Sequence, residues 1–267
     1  MDSQNGGRSA CSAEYFYAQG MVPHGEGVFE TLKVVDSRPF ALTRHLDRLR
    51  HSAMRLGLQP PDPDRVRRKV DEHLETHRLP VGRLRVTWAA APGTPILSLD
   101  SAPMALPEPT ATLTVSDWRI DASSPLAGLK TTAYADYAAA LRVARTAGFD
   151  EALLTNTAGD ICEASTANIF YVVDDVLHTP PLASGCLPGI ARGLVLELCD
   201  VVEVAAPVST LAEATEVFLT SSLREIQPVS RIDDATYART GPVTREAINA
   251  WKRAVDASMD PPPADPR

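Results

Sequence analysis

The sequence predicts an α+β fold. Stretches patterned as strands and stretches patterned as helices fall into separate groups instead of alternating throughout. The glycine fingerprints of doubly wound nucleotide folds, G-x-G-x-x-G and G-x-x-x-x-G-K-[ST], are missing from the sequence. A loop-like stretch at 121–129 separates a first half from a second.

The elements follow in order. Residues 28–35, VFETLKVV, alternate loosely and are β-branched, which predicts a strand closed by a turn at Asp36-Ser37-Arg38-Pro39. Thr43 can cap a helix with an apolar seam of Leu46, Leu49, Ala53 and Leu56, stopped by Gly57. Asp62-Pro63 opens a second helix carrying Val66, Val70 and Leu74. A strand at 83–91 sets Leu84, Val86 and Trp88 on one face, and 112–118 reads as another. Proline-containing loops cover 103–109 and 121–129. An alanine-rich helix at 134–147 ends at Gly148. Short strands at 151–155, 168–173 and 176–178 are parted by turns at Asn156-Thr157-Ala158-Gly159 and Asp174-Asp175. Gly189 leads into a helix at 190–199, followed by strands at 201–206 and 216–220. A last helix begins near Pro242 and uses Val243, Ala247, Trp251 and Ala254, and the tail 259–267 is expected to be disordered. The expected units are 1–120 and 121–258.

Composition excludes several classes of function. The chain has 267 residues, 44% apolar and 22% charged, as ordinary globular proteins have. A net charge of −8 argues against a general nucleic-acid binder but leaves room for a basic pocket that takes a small anion. No apolar run approaches the length of a membrane span, and the first residues lack signal-peptide blocks, so a cytoplasmic protein is expected. Cys11, Cys162, Cys186 and Cys199 form no C-x-x-C pair, which fits reduced thiols. His73 and His77 share a helical i,i+4 spacing, but no glutamate follows His73 as in H-E-x-x-H, so a solvated helix face is expected and no metal centre.

The chemistry is carried by a scarce residue. Only Lys33, Lys69, Lys130 and Lys252 occur. Lys69 and Lys252 fall on polar helix faces and Lys33 in a strand, whereas Lys130 sits at a loop leading into a helix. A lysine nucleophile must be partly desolvated to lose its proton near neutral pH. Glu163, in a small-residue loop within ICEASTANIF, is a carboxylate of the kind that keeps a pyridine nitrogen protonated. Gly189 precedes a helix start whose first amides, of Ile190 and Ala191, make a phosphate site. Ser221-Ser222 offers hydroxyl and N–H donors, and Arg48 offers a guanidinium fork off its helix seam. Each residue alone suits an ordinary surface as well.

Their order along the chain is far more specific. HGEGVFETLK, RHLDRLRHSAMRLGL, GLKTTAYADYAAALRVARTAGFDEALLTNTAGDICEASTANIF, LHTPPLASGCLPGIAR and EVFLTSSLREIQPV, in that order, resemble the class IV aminotransferase family, the fold-type IV enzymes of pyridoxal 5'-phosphate (PLP). The resemblance runs from about His24 to about Val229 and implies a small N-terminal α/β domain and a larger C-terminal pseudobarrel domain. It implies PLP between them and a homodimer. It also implies that Lys130 holds the cofactor as a Schiff base and shuttles protons, and that Glu163 partners the pyridine nitrogen. Arg48, Ile190, Ala191 and the Ser221-Ser222 loop match the phosphate ligands.

Within the family, GLKTTAYA, DEALLTNTAGDICEAS, LHTPPLASGCLPGI and FLTSSLREIQPV are most similar to aminodeoxychorismate lyases. Those enzymes release pyruvate from 4-amino-4-deoxychorismate to give 4-aminobenzoate, a folate precursor. Two features depart from that group: the segment AAAPGTPILSLDSAP, and Asp136-Tyr137 where relatives often have Glu-Asn. A D-amino-acid or branched-chain transaminase stays open. It would need a cationic trap for the substrate carboxylate, with Arg85 and Arg224 as candidates. A PLP-binding protein without turnover is the third reading.

Overall fold

The computed structural model describes residues 26–262; Cys11, His24 and residues 263–267 of the expected tail lie outside them. The N-terminal unit is built on alternation. In β1 (Gly27–Val35) the side chains of Val28, Glu30, Leu32 and Val34 turn to the buried face, and Phe29 and Thr31 to the other. β1 pairs antiparallel with β2 (Arg38–Pro39) and along its whole length with β3 (Val81–Ala89). β3 pairs in turn with β4 (Ile96–Pro103), giving the order β2-β1-β3-β4. Helices α1 (Leu42–Arg55) and α2 (Pro63–Thr76) lay their apolar seams on the sheet. Leu46, Leu49, Val70, Leu32, Leu84 and Trp88 meet there in one core. Each such leucine contributes about 1.5–3 kcal/mol by leaving water.

The larger unit contains one curled sheet. Its members are β5 (Ala111–Ile120), β6 (Glu151–Asn156), β7 (Ile161–Ala164), β8 (Asn168–Val173), β9 (Val176–Thr179), β10 (Val201–Glu203), β11 (Glu216–Ser221) and β12 (Glu225–Ile232), with the short β13 (Ala235–Thr236) paired on β12. The order is β10-β9-β8-β11-β12-β5-β6-β7. A tight turn bridged by Ala164 and Ala167 carries the last strand, β7, back to β8, which curls the sheet. Leu113, Leu153, Ile169, Tyr171, Leu219 and Val229 fill the inside of the curl. Helices α3 (Ala135–Thr146), α4 (Ile190–Leu198) and α5 (Pro242–Ala257) pack outside it; Leu194 of α4 and Trp251 of α5 share a core cluster with Phe170 and Phe218 of the sheet. This is an α+β architecture, as the sequence predicts. Among the described residues no helix is long and apolar enough to cross a membrane.

The capping chemistry departs from the sequence in an informative way. Asp62 caps α2 as expected, accepting from the amides of Asp64 and Arg65. Thr43 is not the cap of α1. That helix begins two residues earlier, after Ala41, with no side-chain cap at that position. Asp260 supplies the missing acceptor, taking hydrogen bonds from the Thr43 amide at 2.8 Å and its hydroxyl at 2.7 Å. Ala41 N–H donates to the Met259 carbonyl, and Arg44 donates to the carbonyls of Pro261 and Pro262. The expectation of disorder from residue 259 is therefore corrected for 259–262, which tie down the start of α1. Its composition alone could not reveal these partners.

Other corrections concern strands. β4, β7 and β12 were not expected as strands, and the strand expected at 201–206 stops at Glu203. The 83–91 strand is shifted to Val81–Ala89. β5 pairs with β12 and β6, so it belongs to the curled sheet by its hydrogen bonds. We therefore place the division between the units at 104–110, ahead of β5, instead of at 120.

Candidate active site

Every residue named as a candidate for catalysis, cofactor binding or substrate binding lines one cavity of about 350 Å³. Its floor comes from β1, α1 and β3 of the first unit, its walls from the second.

As expected, Lys130 stands in a loop that leads into α3, and this part of the loop runs extended beside β1. The Phe29 amide donates to the Lys130 carbonyl at 2.9 Å, and the Thr132 amide donates to the Gly27 carbonyl at 2.8 Å. Val28 and Thr131 form a bridge, so the segment adds itself to β1. The turn into it uses Gly128 at φ +71°, a left-handed conformation that favours glycine. The Lys130 Nζ lies 4.6 Å from the Phe29 ring centre and 5.4 Å from that of Tyr134. Burial, then the charge of Arg48, lowers its pKa to about 8. The amine is thus a usable base near neutral pH.

Glu163 faces the cavity from strand β7, not from a loop. It is buried and accepts from Tyr137 Oη at 2.9 Å, the Leu187 amide at 3.0 Å and Asn168 Nδ2 at 3.4 Å. Burial raises its pKa to about 7 against these donors and against Lys130 and Arg48.

Arg48 is held by a buried network. Its Nε and Nη2 grip Glu30 at 2.8 and 2.5 Å, and its Nη1 donates to the Pro188 carbonyl at 2.9 Å. One N–H remains on each of Nη1 and Nη2 for a ligand. Burial alone would raise the Glu30 pKa; the charge and hydrogen bonds of Arg48, helped by His45, outweigh it and hold it at about 2. His45, fully buried, meets Glu30 through Nδ1 at 2.6 Å and Ser222 Oγ through Nε2 at 3.0 Å. Burial lowers the His45 pKa, which favours a neutral ring. With Nδ1–H on the carboxylate, Nε2 accepts from the Ser222 hydroxyl. The Ser222 hydroxyl, expected as a donor, is thus engaged by His45, while Ser221 and Ser222 both line the cavity.

The third wall is the start of α4. Gly189 precedes it, with no side-chain cap, and Ile190 and Ala191 line the cavity. A Cβ on Gly189 would stand 2.0 Å from Asn168 Oδ1, so this close approach requires glycine. The nearby Thr220 hydroxyl is buried, lines the cavity and has no partner among the described residues.

The two candidate traps for a carboxylate differ. Arg85, opposite Thr31 on β3, places its guanidinium 3.6 Å from the Phe29 ring centre, and no described carboxylate pairs with it. Arg224 is already engaged, with the buried Glu151, Gln227 and Thr166. A free trap at Arg224 is therefore corrected to an ion-paired side chain. Sequence reasoning missed Glu30, His45, Tyr134, Tyr137 and Thr220. The first was within reach, because alternation with Val28 and Leu32 puts Glu30 on the buried face.

A fold of this kind with a buried lysine and carboxylate lining one cavity defines a class of cofactor enzyme, and the comparisons identify it. Residues 27–232 match the family described as amino-transferase class IV. The "Putative branched-chain-amino-acid aminotransferase" of Methanocaldococcus jannaschii is 31% identical over 256 residues, covering 86% of this chain and 87% of that one. The structure called "Putative 4-amino-4-deoxychorismate lyase" from Legionella pneumophila superposes with a TM-score of 0.83 at 26% identity, covering 92% of this chain and 95% of its own. The T.th. branched-chain amino acid aminotransferase with pyridoxamine 5'-phosphate gives 0.80 at 26% identity, covering 90% of this chain and 88% of its own. The chain belongs to the class IV aminotransferase family, whose members are PLP-dependent enzymes, and PLP is accordingly its cofactor. The cavity fits it: an unprotonated amine is accessible at Lys130, a carboxylate stands at Glu163, and an orphaned Thr220 hydroxyl lies with Arg48 and the α4 amides.

Proposed function

We propose that the chain is a PLP-dependent lyase that converts 4-amino-4-deoxychorismate to 4-aminobenzoate and pyruvate. The observation that carries the cofactor chemistry is the buried Lys130 amine sharing one cavity with the Glu163 carboxylate. When bound, PLP supplies a protonated ring that accepts an electron pair from the substrate. Lys130 holds the cofactor, takes the proton from the ring carbon that bears the substrate amine, and is placed to return a proton to the departing enolpyruvate. Glu163 would be the partner of the pyridine nitrogen and would keep it protonated. Arg48, the amides of Ile190 and Ala191 and the Ser221-Ser222 turn hold the phosphate. Arg85 receives a substrate carboxylate, and the adjoining Phe29 ring offers a flat apolar wall to the substrate ring. Aromatisation supplies much of the driving force, so the site mainly positions the C–H bond and leaving group. The higher TM-score of the Legionella structure, 0.83 against 0.80 for the T.th. aminotransferase, supports the lyase reading.

Branched-chain transamination is the second reading, favoured by the curated relatives. Incubation with 4-amino-4-deoxychorismate should yield 4-aminobenzoate and pyruvate in equal amounts. Leucine or D-alanine, without a keto acid, should leave the visible spectrum of the bound cofactor unchanged. Conversion of that spectrum by an amino acid, with no 4-aminobenzoate formed from the other substrate, would reject the lyase. The same reading places the protein in the cytoplasm as a homodimer.

The phosphate assignment has its own test. Arg48→Lys keeps a positive charge beside Glu30 but loses the planar fork. PLP affinity should fall about tenfold to a hundredfold, the loss of one charge-assisted contact of about 1.5–3 kcal/mol. Titration of the PLP-free protein by tryptophan fluorescence measures it, and unchanged affinity removes Arg48 from the phosphate site.

A further inference from the structure

Glu163 is the carboxylate on which the proposed chemistry turns, and one of its three donors is the phenol of Tyr137. Tyr137 stands in α3, the helix that follows Lys130. Its hydroxyl donates to Glu163 Oε1 at 2.9 Å, while the other two donors, Leu187 N–H and Asn168 Nδ2, address Oε2. No other described residue bonds Oε1. The tyrosine ring is fixed as well: it stacks on Tyr134 with centroids 4.5 Å apart and planes 13° apart. The pair sits on the first turn of α3, beside Lys130, so the same segment that delivers the lysine delivers the hydroxyl.

We infer that Tyr137 is a positioning residue that holds the Glu163 carboxylate ionised and fixes its orientation toward the cavity. The inference rests on the PLP reading of the site and deepens it. A donor on an ionised oxygen stabilises that ion over its neutral acid, and the effect is larger where water is excluded. Burial pushes the Glu163 pKa up to about 7, so this acid is poised where one hydrogen bond decides its charge near neutral pH. The groups facing it are Lys130 and Arg48, which favour the ion, the phenols of Tyr134 and Tyr137, and the thiols of Cys162 and Cys186. Burial raises the pKa of both phenols far above neutrality, so Tyr137 stays a donor throughout the working range.

The test uses the full-length protein with the cofactor removed, and reads the Glu163 carboxylate by infrared difference spectroscopy as pH is varied. Glu163→Gln identifies the band by abolishing it. Tyr137→Phe keeps the ring stack and removes the hydroxyl; the midpoint should rise by about one pH unit or more. Tyr134→Phe should leave the midpoint in place, because that hydroxyl donates to the Ser165 carbonyl instead. In the reloaded Tyr137→Phe protein, the acid limb of the kcat–pH profile should move up with it, with KM little changed. An unmoved midpoint in Tyr137→Phe, or a larger shift in Tyr134→Phe, overturns the inference. If Tyr137→Phe does not fold, Tyr137→His supplies a shorter donor ring, and a midpoint equal to the wild type without a bond to Glu163 in its crystal structure overturns it equally. The cofactor-free titration does not depend on which substrate the enzyme uses. Failure of the lyase or PLP reading would therefore show in the substrate and reloading assays and leave this result standing.

Discussion

Replacing Lys130 with alanine is expected to reduce turnover by about a thousandfold or more, the scale of losing a positioned general base. The fold should survive, because Lys130 enters the β1 pairing through its backbone and its side chain makes no hydrogen bond to a described residue. Alanine also relieves a buried amine of its desolvation. Wild-type protein treated with borohydride should carry the cofactor on one peptide containing Lys130, and the variant should carry none. The acidity of the amine is a second readout. In cofactor-free protein, competitive acetylation of Lys130 should follow an ionisation near 8, well below an ordinary lysine, because burial and Arg48 disfavour its charge. The sign follows: the amine is mainly protonated below about 8, so labelling rises as pH rises through that value. A labelled peptide elsewhere, or an ionisation near 10.5, the usual lysine value, would remove Lys130 from its role.

Much of this arrangement was legible in the sequence, for reasons that differ by residue. Strong periodicity gave β1, α2, α3 and α5, because each has one apolar face and a punctuating Gly, Pro or Asp. β12 was hidden by Pro228 and Gln227 inside it; proline donates no ladder bond and argues against a strand interior. β4 lies at the sheet edge with mixed burial, so its serines and aspartate broke the alternation. Lys130, Glu163, Arg48, Ile190 and Ala191 were found through the order of five sequence blocks, and their convergence on one cavity is a fact of the fold. The Asp260 cap and the Ser222–His45 bond join residues far apart in the chain. Pattern within a window carries no trace of such pairs. Tyr137 was visible only as an oddity in the alanine-rich helix, and its bond to Glu163 gave the oddity a meaning.

Glu163→Gln is expected to fold and bind PLP, yet to lower kcat about a hundredfold or more, the scale of removing one electrostatic stabiliser from a buried site. The geometry makes the substitution tolerable. The Leu187 amide and Asn168 Nδ2 are fixed donors on the Oε2 side, so the glutamine oxygen must take that position. Its amide group then lies at the Oε1 position, where the Tyr137 hydroxyl can rotate and accept instead of donate. Packing is kept and the Leu187 and Asn168 donors keep their acceptor, while the Tyr137 hydroxyl proton loses its own, so the loss reports chiefly the charge. An ionised carboxylate at this position raises the pKa of a facing pyridine nitrogen by direct attraction, and glutamine cannot. The loss should fall on kcat more than on KM, because the demand for a protonated ring arises only after substrate has bound and its proton has gone to Lys130. The pH dependence supplies an independent check. With Glu163 raised to about 7 before the cofactor binds, wild-type activity should fall as pH drops and the carboxylate takes up a proton. The variant should lose that acid limb while keeping whatever limb belongs to Lys130. An elimination that avoids full negative charge on the substrate carbon depends less on the ring, so a loss nearer tenfold would point to proton and leaving group departing together. Near-normal turnover in a PLP-loaded, crystallographically verified Glu163→Gln protein would withdraw both the role of this residue and the assignment of the ring nitrogen to its side of the cavity.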